Sequence, residues 1–232
     1  MLSKSYIRTA GWLYIVIAVA GGFSIGYVPS VINASGSAAA NLADNTTLYR
    51  LGILGDIIVL LCELVLTVML YRIFRPASKT LALIATYARF AMVGVMAINI
   101  LLGAMPLYII GLSTPMPEMV TALFEAKQMG VYVWQLFFSL HLLAIGTIIL
   151  RFSLFPKGLG WMMGIGALGY LLEGLSKLTN FENVILSWAI IGLLVVVTLG
   201  ELAFAIWLIA KGQVGPRPAG YAPQTQPHGG WV

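Results

Sequence analysis

Six long apolar runs dominate this chain of 232 residues, at about 9–28, 49–71, 80–110, 129–150, 158–178 and 187–210. Each is long enough to cross about 30 Å of hydrocarbon as an α-helix rising about 1.5 Å per residue. The runs are continuously apolar rather than alternating, which argues against a transmembrane β-barrel. Composition agrees, with 60% hydrophobic residues, 9% charged residues and a mean hydropathy of +0.95. A soluble domain carries about 25% charged residues. This chain has too little polar surface to face water, so a soluble enzyme and a disordered chain are both excluded. The expected architecture is all-α and polytopic: a six-helix transmembrane bundle over residues 1–211, followed by a flexible tail over 212–232 that is rich in Pro, Gly and Gln.

Charge placement orients the bundle. Lys4 and Arg8 precede the first run, and Arg72, Arg75 and Lys79 join the second to the third. Arg151 and Lys157 join the fourth to the fifth, and Lys211 and Arg217 follow the sixth. The opposite loops carry Asp44, Glu118, Glu125 and Glu182 against Lys127, with Lys177 near a helix end. The positive-inside rule then places both termini in the cytoplasm. It also accounts for the net charge of +5, which topology and anionic lipid explain without nucleic acid.

Several local features refine this outline. Pro106 is expected to end or kink the long third run, with Pro115 and Pro117 opening the next loop. The Ala/Ser/Asn-rich stretch from Pro29 to Leu48 is expected to form a short helix or hairpin on the outer face. Its Asn33-Ala34-Ser35 and Asn45-Thr46-Thr47 triplets read as chance glycosylation patterns. Ala18-Val19-Ala20 resembles a signal-peptide cleavage site, but the apolar run continues beyond it, so a retained span is expected. The lone Cys62 and two distant histidines, His141 and His228, support neither a disulfide nor a zinc site. Haem ligation by His141 lacks a second ligand, and no cofactor is expected. The first and fifth runs share a base followed by Gly-Trp (Arg8, Gly11-Trp12; Lys157, Gly160-Trp161) and a small-residue pair (Gly22 with Gly26; Gly160 with Gly164).

The informative residues are the ionisable ones inside the runs, because each is costly in hydrocarbon. Glu63 lies nine residues before Arg72; His141 and Glu201 lie ten before Arg151 and Lys211; Arg89 lies ten after Lys79. At 1.5 Å per residue all four sit about 13–15 Å from a basic anchor, near the bilayer centre. The spacing predicts a cluster in which Arg89 pairs with Glu63 or Glu201 while His141 donates to the other acid. A second layer, about 24 Å from the anchors, holds Asp56, Gln135 and Glu173, with Asn99 and Tyr170 close by and Arg50 just outside. Together they describe a polar track open outward and closed toward the cytoplasm.

The Gly11-Trp12 start, the Leu48-Tyr49-Arg50-Leu51-Gly52-Ile53 entry with Asp56 and Glu63, and the Arg89 span carry a resemblance. So do Leu140-His141-Leu142, Gly166-Ala167-Leu168-Gly169-Tyr170-Leu171 and Gly200-Glu201-Leu202. Together these stretches resemble the bacterial integral-membrane proteins catalogued as domain of unknown function 4386, over nearly the whole chain up to Lys211. The resemblance implies a multi-span inner-membrane protein and brings no enzyme signature; Glu63 stands where it implies aspartate. Three functions fit the residues. The favoured one is binding of a small polar molecule, or proton-coupled transport, with His141 as the proton-responsive group. The second is a non-catalytic subunit docking on a membrane partner or on a second copy through the glycine faces of the first and fifth spans. The third is a lipid-modifying enzyme using Glu63, Glu201 and His141; against it, no Ser or Cys nucleophile has a neighbouring base.

Overall fold

The computed structural model describes residues 2–34, 36–112, 116–181 and 183–213. Ser35, Pro115, Glu182 and the tail from 214, with Arg217 and His228, lie outside the described residues. All regular structure among the described residues is helical. Helix α1 (Lys4–Gly21) runs through a π-helical turn (Gly22–Tyr27) into α2 (Val28–Ile32), and the short α3 (Ala38–Asp44) follows. Then come α4 (Thr46–Phe74), α5 (Lys79–Ile109), α6 (Pro117–Phe152), α7 (Lys157–Leu178) and α8 (Val184–Lys211). Five of these helical stretches are long and apolar enough to cross a membrane: Lys4–Ile32, Thr46–Phe74, Lys79–Ile109, Pro117–Phe152 and Val184–Lys211. The chain is thus a multi-pass membrane protein by the length and composition of its helices. The remaining expected span, α7, is 22 residues long, but its glycines together with Glu173 and Lys177 dilute its hydropathy.

Capping side chains set several helix starts. Ser3 Oγ, Ser78 Oγ and Asn183 Oδ1 accept from the backbone N–H groups of Tyr6, Leu81 and Leu186. The fourth run extends furthest beyond its apolar limits. Its helix begins at Pro117 instead of Met129, because Glu118, Glu125, Lys127 and Gln128 interrupt the hydropathy but not the helix. The segment between the first two runs forms a short helix, α3, one of the two forms expected for it.

Pro106 does not end α5, which continues to Ile109. The missing N–H of Pro106 withholds the helical donor of the Leu102 carbonyl, four residues earlier. The next carbonyl, Gly103 O, accepts from the Tyr49 hydroxyl at 2.7 Å. A side chain of α4 is thus tied to the backbone of α5 one residue from that break.

Consecutive long helices pack side by side from α4 through α8, and α1 touches both α4 and α8, which closes a ring of six. Glycine makes the tightest crossings. A Cβ on Gly146 of α6 would meet Gly160 O and Gly164 N of α7, both at 2.9 Å. Gly166 and Gly169 of α7 lie against Val197 and Leu193 of α8. Gly160, expected on an outward docking face, is thus engaged inside the bundle, whereas Gly22 and Gly26 have open space beside them.

Helix α1 leans two ways. At the end that carries Arg8, Gly11 lies against Ala205 and Ile209 of α8. Toward the other end α1 and its π-helical turn approach α4, where Gly55 meets Ser24 and Ala20, and Gly52 meets Val28. Beyond Gly11, Ala18 and Gly22 of the first helical stretch and Thr198 and Glu201 of α8 line one cavity. Exposed Trp12 and Trp161 at the basic end and Trp188 at the far end fit aromatic belts at two interfaces.

Candidate functional site

Among the described residues Arg89 is the largest side chain fully removed from the surface, at 0% exposure. A guanidinium so placed has to be matched by acceptors. Its Nη2 lies 2.6 Å from Glu63 Oε2, and its Nη1 lies 2.9 Å from His141 Nε2. The rings of Tyr14 and Phe138 flank it, their centroids 5.5 and 5.6 Å from Cζ. The other imidazole nitrogen, Nδ1, lies 2.8 Å from Ala85 O. Arginine can only donate, so Nε2 accepts and the proton sits on Nδ1, which donates to the Ala85 carbonyl. His141 therefore serves no acid, contrary to the expectation that it would donate to one. Both of its nitrogens are engaged, and a second proton would point at the guanidinium. This makes it a poor proton-responsive group.

Glu63 also faces a chamber of about 350 Å3 inside the ring. Glu201 lines the same chamber from α8, so three of the four central residues meet directly and the fourth joins them across the cavity. The Tyr170 hydroxyl lies beside the Glu201 carboxylate. Glu63 is ion-paired, whereas Glu201 has no ion pair among the described residues. The rest of the wall is apolar or aromatic. Phe138 and Tyr170 pack edge-to-face with centroids 5.2 Å apart, and Trp134 contacts both. Tyr14, Trp134 and Phe138 were not legible as site residues, because aromatic side chains in apolar runs look the same whether they face lipid or a cavity.

The outer layer divides into two pairs. Lys127 Nζ lies 2.7 Å from Asp56 Oδ2, and Gln135 Nε2 donates to Glu173 Oε2 at 2.7 Å. Asn99 is buried, with its Oδ1 unpartnered and Gly130 tight against it. Arg50 is exposed on α4 and joins neither pair. Lys127 is the outer-layer residue that hydropathy missed. Its signal was present as a lone base among acids, eight residues before Gln135.

The Asp56–Lys127 pair lies between two larger spaces. A vestibule of about 340 Å3 sits at the α2–α3 end, bordered by Pro29, Ile32, Tyr49, Phe124 and Lys127. A neck of about 20 Å3 at Ile25, Asp56, Asn99 and Lys127 separates it from the chamber. On the basic side of the cluster, among the described residues, the space beside Phe74, Ala85 and His141 has a volume of about 0 Å3. There Phe74, Phe155 and Phe204 stack with centroids 5.1–6.2 Å apart. The track therefore has one wide end and one sealed end.

The chain is 24% identical over 167 residues, 72% of its length and 86% of the relative's, to an uncharacterized protein of Archaeoglobus fulgidus. No solved structure matches it. The family described as Domain of unknown function (DUF4386) matches residues 9–212, which covers the ring, the chamber and every residue of both polar layers, and the chain belongs to that family.

Proposed function

We propose that this is a six-span protein of the inner membrane, with both termini cytoplasmic, that binds a small molecule in its central chamber and couples that binding to proton or solute movement from the outer side. The observation that carries the reading is the chamber itself. It is a cavity of about 350 Å3 within a ring of six helices, with the Glu63 and Glu201 carboxylates in its wall. Pockets of about 300–1,000 Å3 that combine apolar walls with a few convergent polar groups are the usual form of a small-molecule site. Spans are favoured as the place for ionisable residues only where those residues have a task or a partner.

The sixth span in this reading is α7. At 1.5 Å per residue its 22 residues reach about 33 Å, enough to cross hydrocarbon. It packs between α6 and α8 and joins them through short connections, so it has to return the chain from one end of the bundle to the other. The orientation rests on the basic residues gathered at the sealed end. The vestibule then faces outward and the Phe74–Phe155–Phe204 stack faces the cytoplasm. Among the ionisable groups, Glu201 is the best placed to exchange a proton, since it borders the chamber and has no ion pair among the described residues.

The test is mass spectrometry of small molecules released from the purified protein, compared with Val59→Trp, which fills the chamber. A compound that accompanies the parent chain, is absent from the variant and is taken up by proteoliposomes supports the reading. Two folded proteins equally free of ligand would overturn it.

A further inference from the structure

The chamber's charge, its wall and its openings together specify a class of guest and a route. Inside the wall Arg89 offsets Glu63 at 2.6 Å, while the Glu201 carboxylate has the Tyr170 hydroxyl beside it but no ion pair among the described residues. A carboxylate in such surroundings is costly unless a proton or a cation joins it. The remaining surface is suited to a cation that has shed its water. Trp134 and Tyr170 extend an aromatic wall from Phe138, whose own ring lies against Arg89 and His141, and Met92, Met96 and Leu202 supply apolar contact. Aromatic faces beside a carboxylate are the recurrent means of holding an ammonium group.

The route follows from exposure. Of the residues lining the chamber, those that reach the exterior are Ala18 and Gly22 on the first helical stretch and Thr198 on α8. They border the gap that opens because α1 is held to α8 at Gly11 and to α4 at Gly52 and Gly55. The rim carries little bulk, and Gly22 opens the π-helical turn. Exposed Val195, Leu199 and Val19 surround it, so this gap faces the hydrocarbon. The neck toward the vestibule, at about 20 Å3, has room for roughly one water. It can admit water or a proton but no organic molecule.

We propose that the chamber binds an organic monocation with a compact apolar body, which enters sideways from the bilayer between α1 and α8 and places its charge between Glu201 and the Trp134–Phe138–Tyr170 wall. This rests on the small-molecule reading above and names the class of molecule that it leaves open.

The experiment uses the full chain in lipid nanodiscs, with benzyltrimethylammonium as probe and its neutral isostere neopentylbenzene as control. Calorimetric titration should give saturable binding of the cation, with binding of the isostere, and of the cation to Glu201→Gln, weaker by about tenfold or more. Stopped-flow tryptophan fluorescence should show association slowed by about tenfold or more in Ala18→Leu and in Gly22→Leu/Thr198→Leu, the range over which such rates ordinarily vary. Unfolding midpoints and monodispersity establish that each variant is folded, and Ala18→Leu serves if the double variant is not. Equal affinity for the neutral isostere, or unchanged affinity in Glu201→Gln, would overturn the cation while leaving small-molecule binding intact. Wild-type association rates in the rim variants would overturn the sideways route. Failure of the folded parent protein to bind either compound would overturn the proposal, and the profile of co-purified molecules decides the broader reading independently.

Discussion

Arg89 Nη1 lies 2.9 Å from His141 Nε2, and His141 Nδ1 lies 2.8 Å from the carbonyl oxygen of Ala85. One imidazole therefore joins a guanidinium of α5 to the backbone of α5 a turn earlier, with both side chains fully buried. Removing the ring by His141→Ala strands an arginine N–H, while the Ala85 carbonyl keeps its own helical donor within α5. Leaving one buried polar group unmatched costs about 1–3 kcal/mol, so chemical unfolding should register a loss of that order. Selective 15N labelling of histidine should place the ring proton of His141 on Nδ1.

The Glu63–Arg89 pair calls for a double-mutant cycle. Breaking a buried pair from one side typically costs about 3–5 kcal/mol, because a lone charge is left behind. Arg89→Met and Glu63→Leu should each be destabilising on that scale, and the double variant should be less so than their sum. Strict additivity of the unfolding free energies would show that the two side chains do not act as a unit.

Tyr49 and Pro106 make a second testable couple across α4 and α5. Tyr49→Phe removes the donor to Gly103 O and should cost about 1 kcal/mol, the net worth of one such bond. In a Pro106→Ala background the restored N–H serves Leu102 O rather than Gly103 O, so the Tyr49→Phe penalty should persist. Thermal unfolding in detergent measures both.

The α6–α7 crossing distinguishes glycines that matter from those that do not. Gly146→Val drives a branched side chain into Gly160 O and Gly164 and should cost about 1–3 kcal/mol as overpacking. Gly164→Ala, whose Cβ meets nothing within 4 Å, should leave the unfolding midpoint unchanged or raise it. The same unfolding assay separates the two cases.

Orientation is open to labelling in intact cells. In a Cys62→Ala background, a membrane-impermeant maleimide should modify Ser37→Cys, beside α3. It should reach Gln213→Cys, just beyond α8, only after permeabilisation. The reverse pattern would invert the bundle.

The centre of this molecule could be read from the sequence because depth in a helix is arithmetic. Counting residues from Arg72, Lys79, Arg151 and Lys211 placed Glu63, Arg89, His141 and Glu201 at one height. Direction around each helix is a separate matter. Glu63, Arg89 and His141 face one another, while Glu201 meets them only across a cavity. The partner of His141 proved to be the backbone of Ala85, a group no side-chain pattern reveals. The ends of the helices were less legible for a different reason. Hydropathy marks where hydrocarbon ends, whereas hydrogen bonding carries a helix further. Twelve residues of α6 therefore lay hidden before Met129, and with them Lys127, the counter-ion of Asp56. A polar space open outward follows from the two layers of ionisable residues, but the aromatic wall of the chamber does not, since Tyr14, Trp134 and Phe138 look like any other apolar positions.

Closing the ring by seating α8 against α1 has a consequence for biogenesis. The Glu63–Arg89–His141 triad is supplied by α4, α5 and α6, three neighbours that leave the ribosome in succession. Their costly groups can neutralise one another before the last two helices exist. Glu201 arrives with α8, and only then does Gly11 gain Ala205 and Ile209 as neighbours. The wall of the chamber is thus completed by the final segment to be inserted, and a chain truncated before α8 would keep its buried triad while having no enclosed site at all.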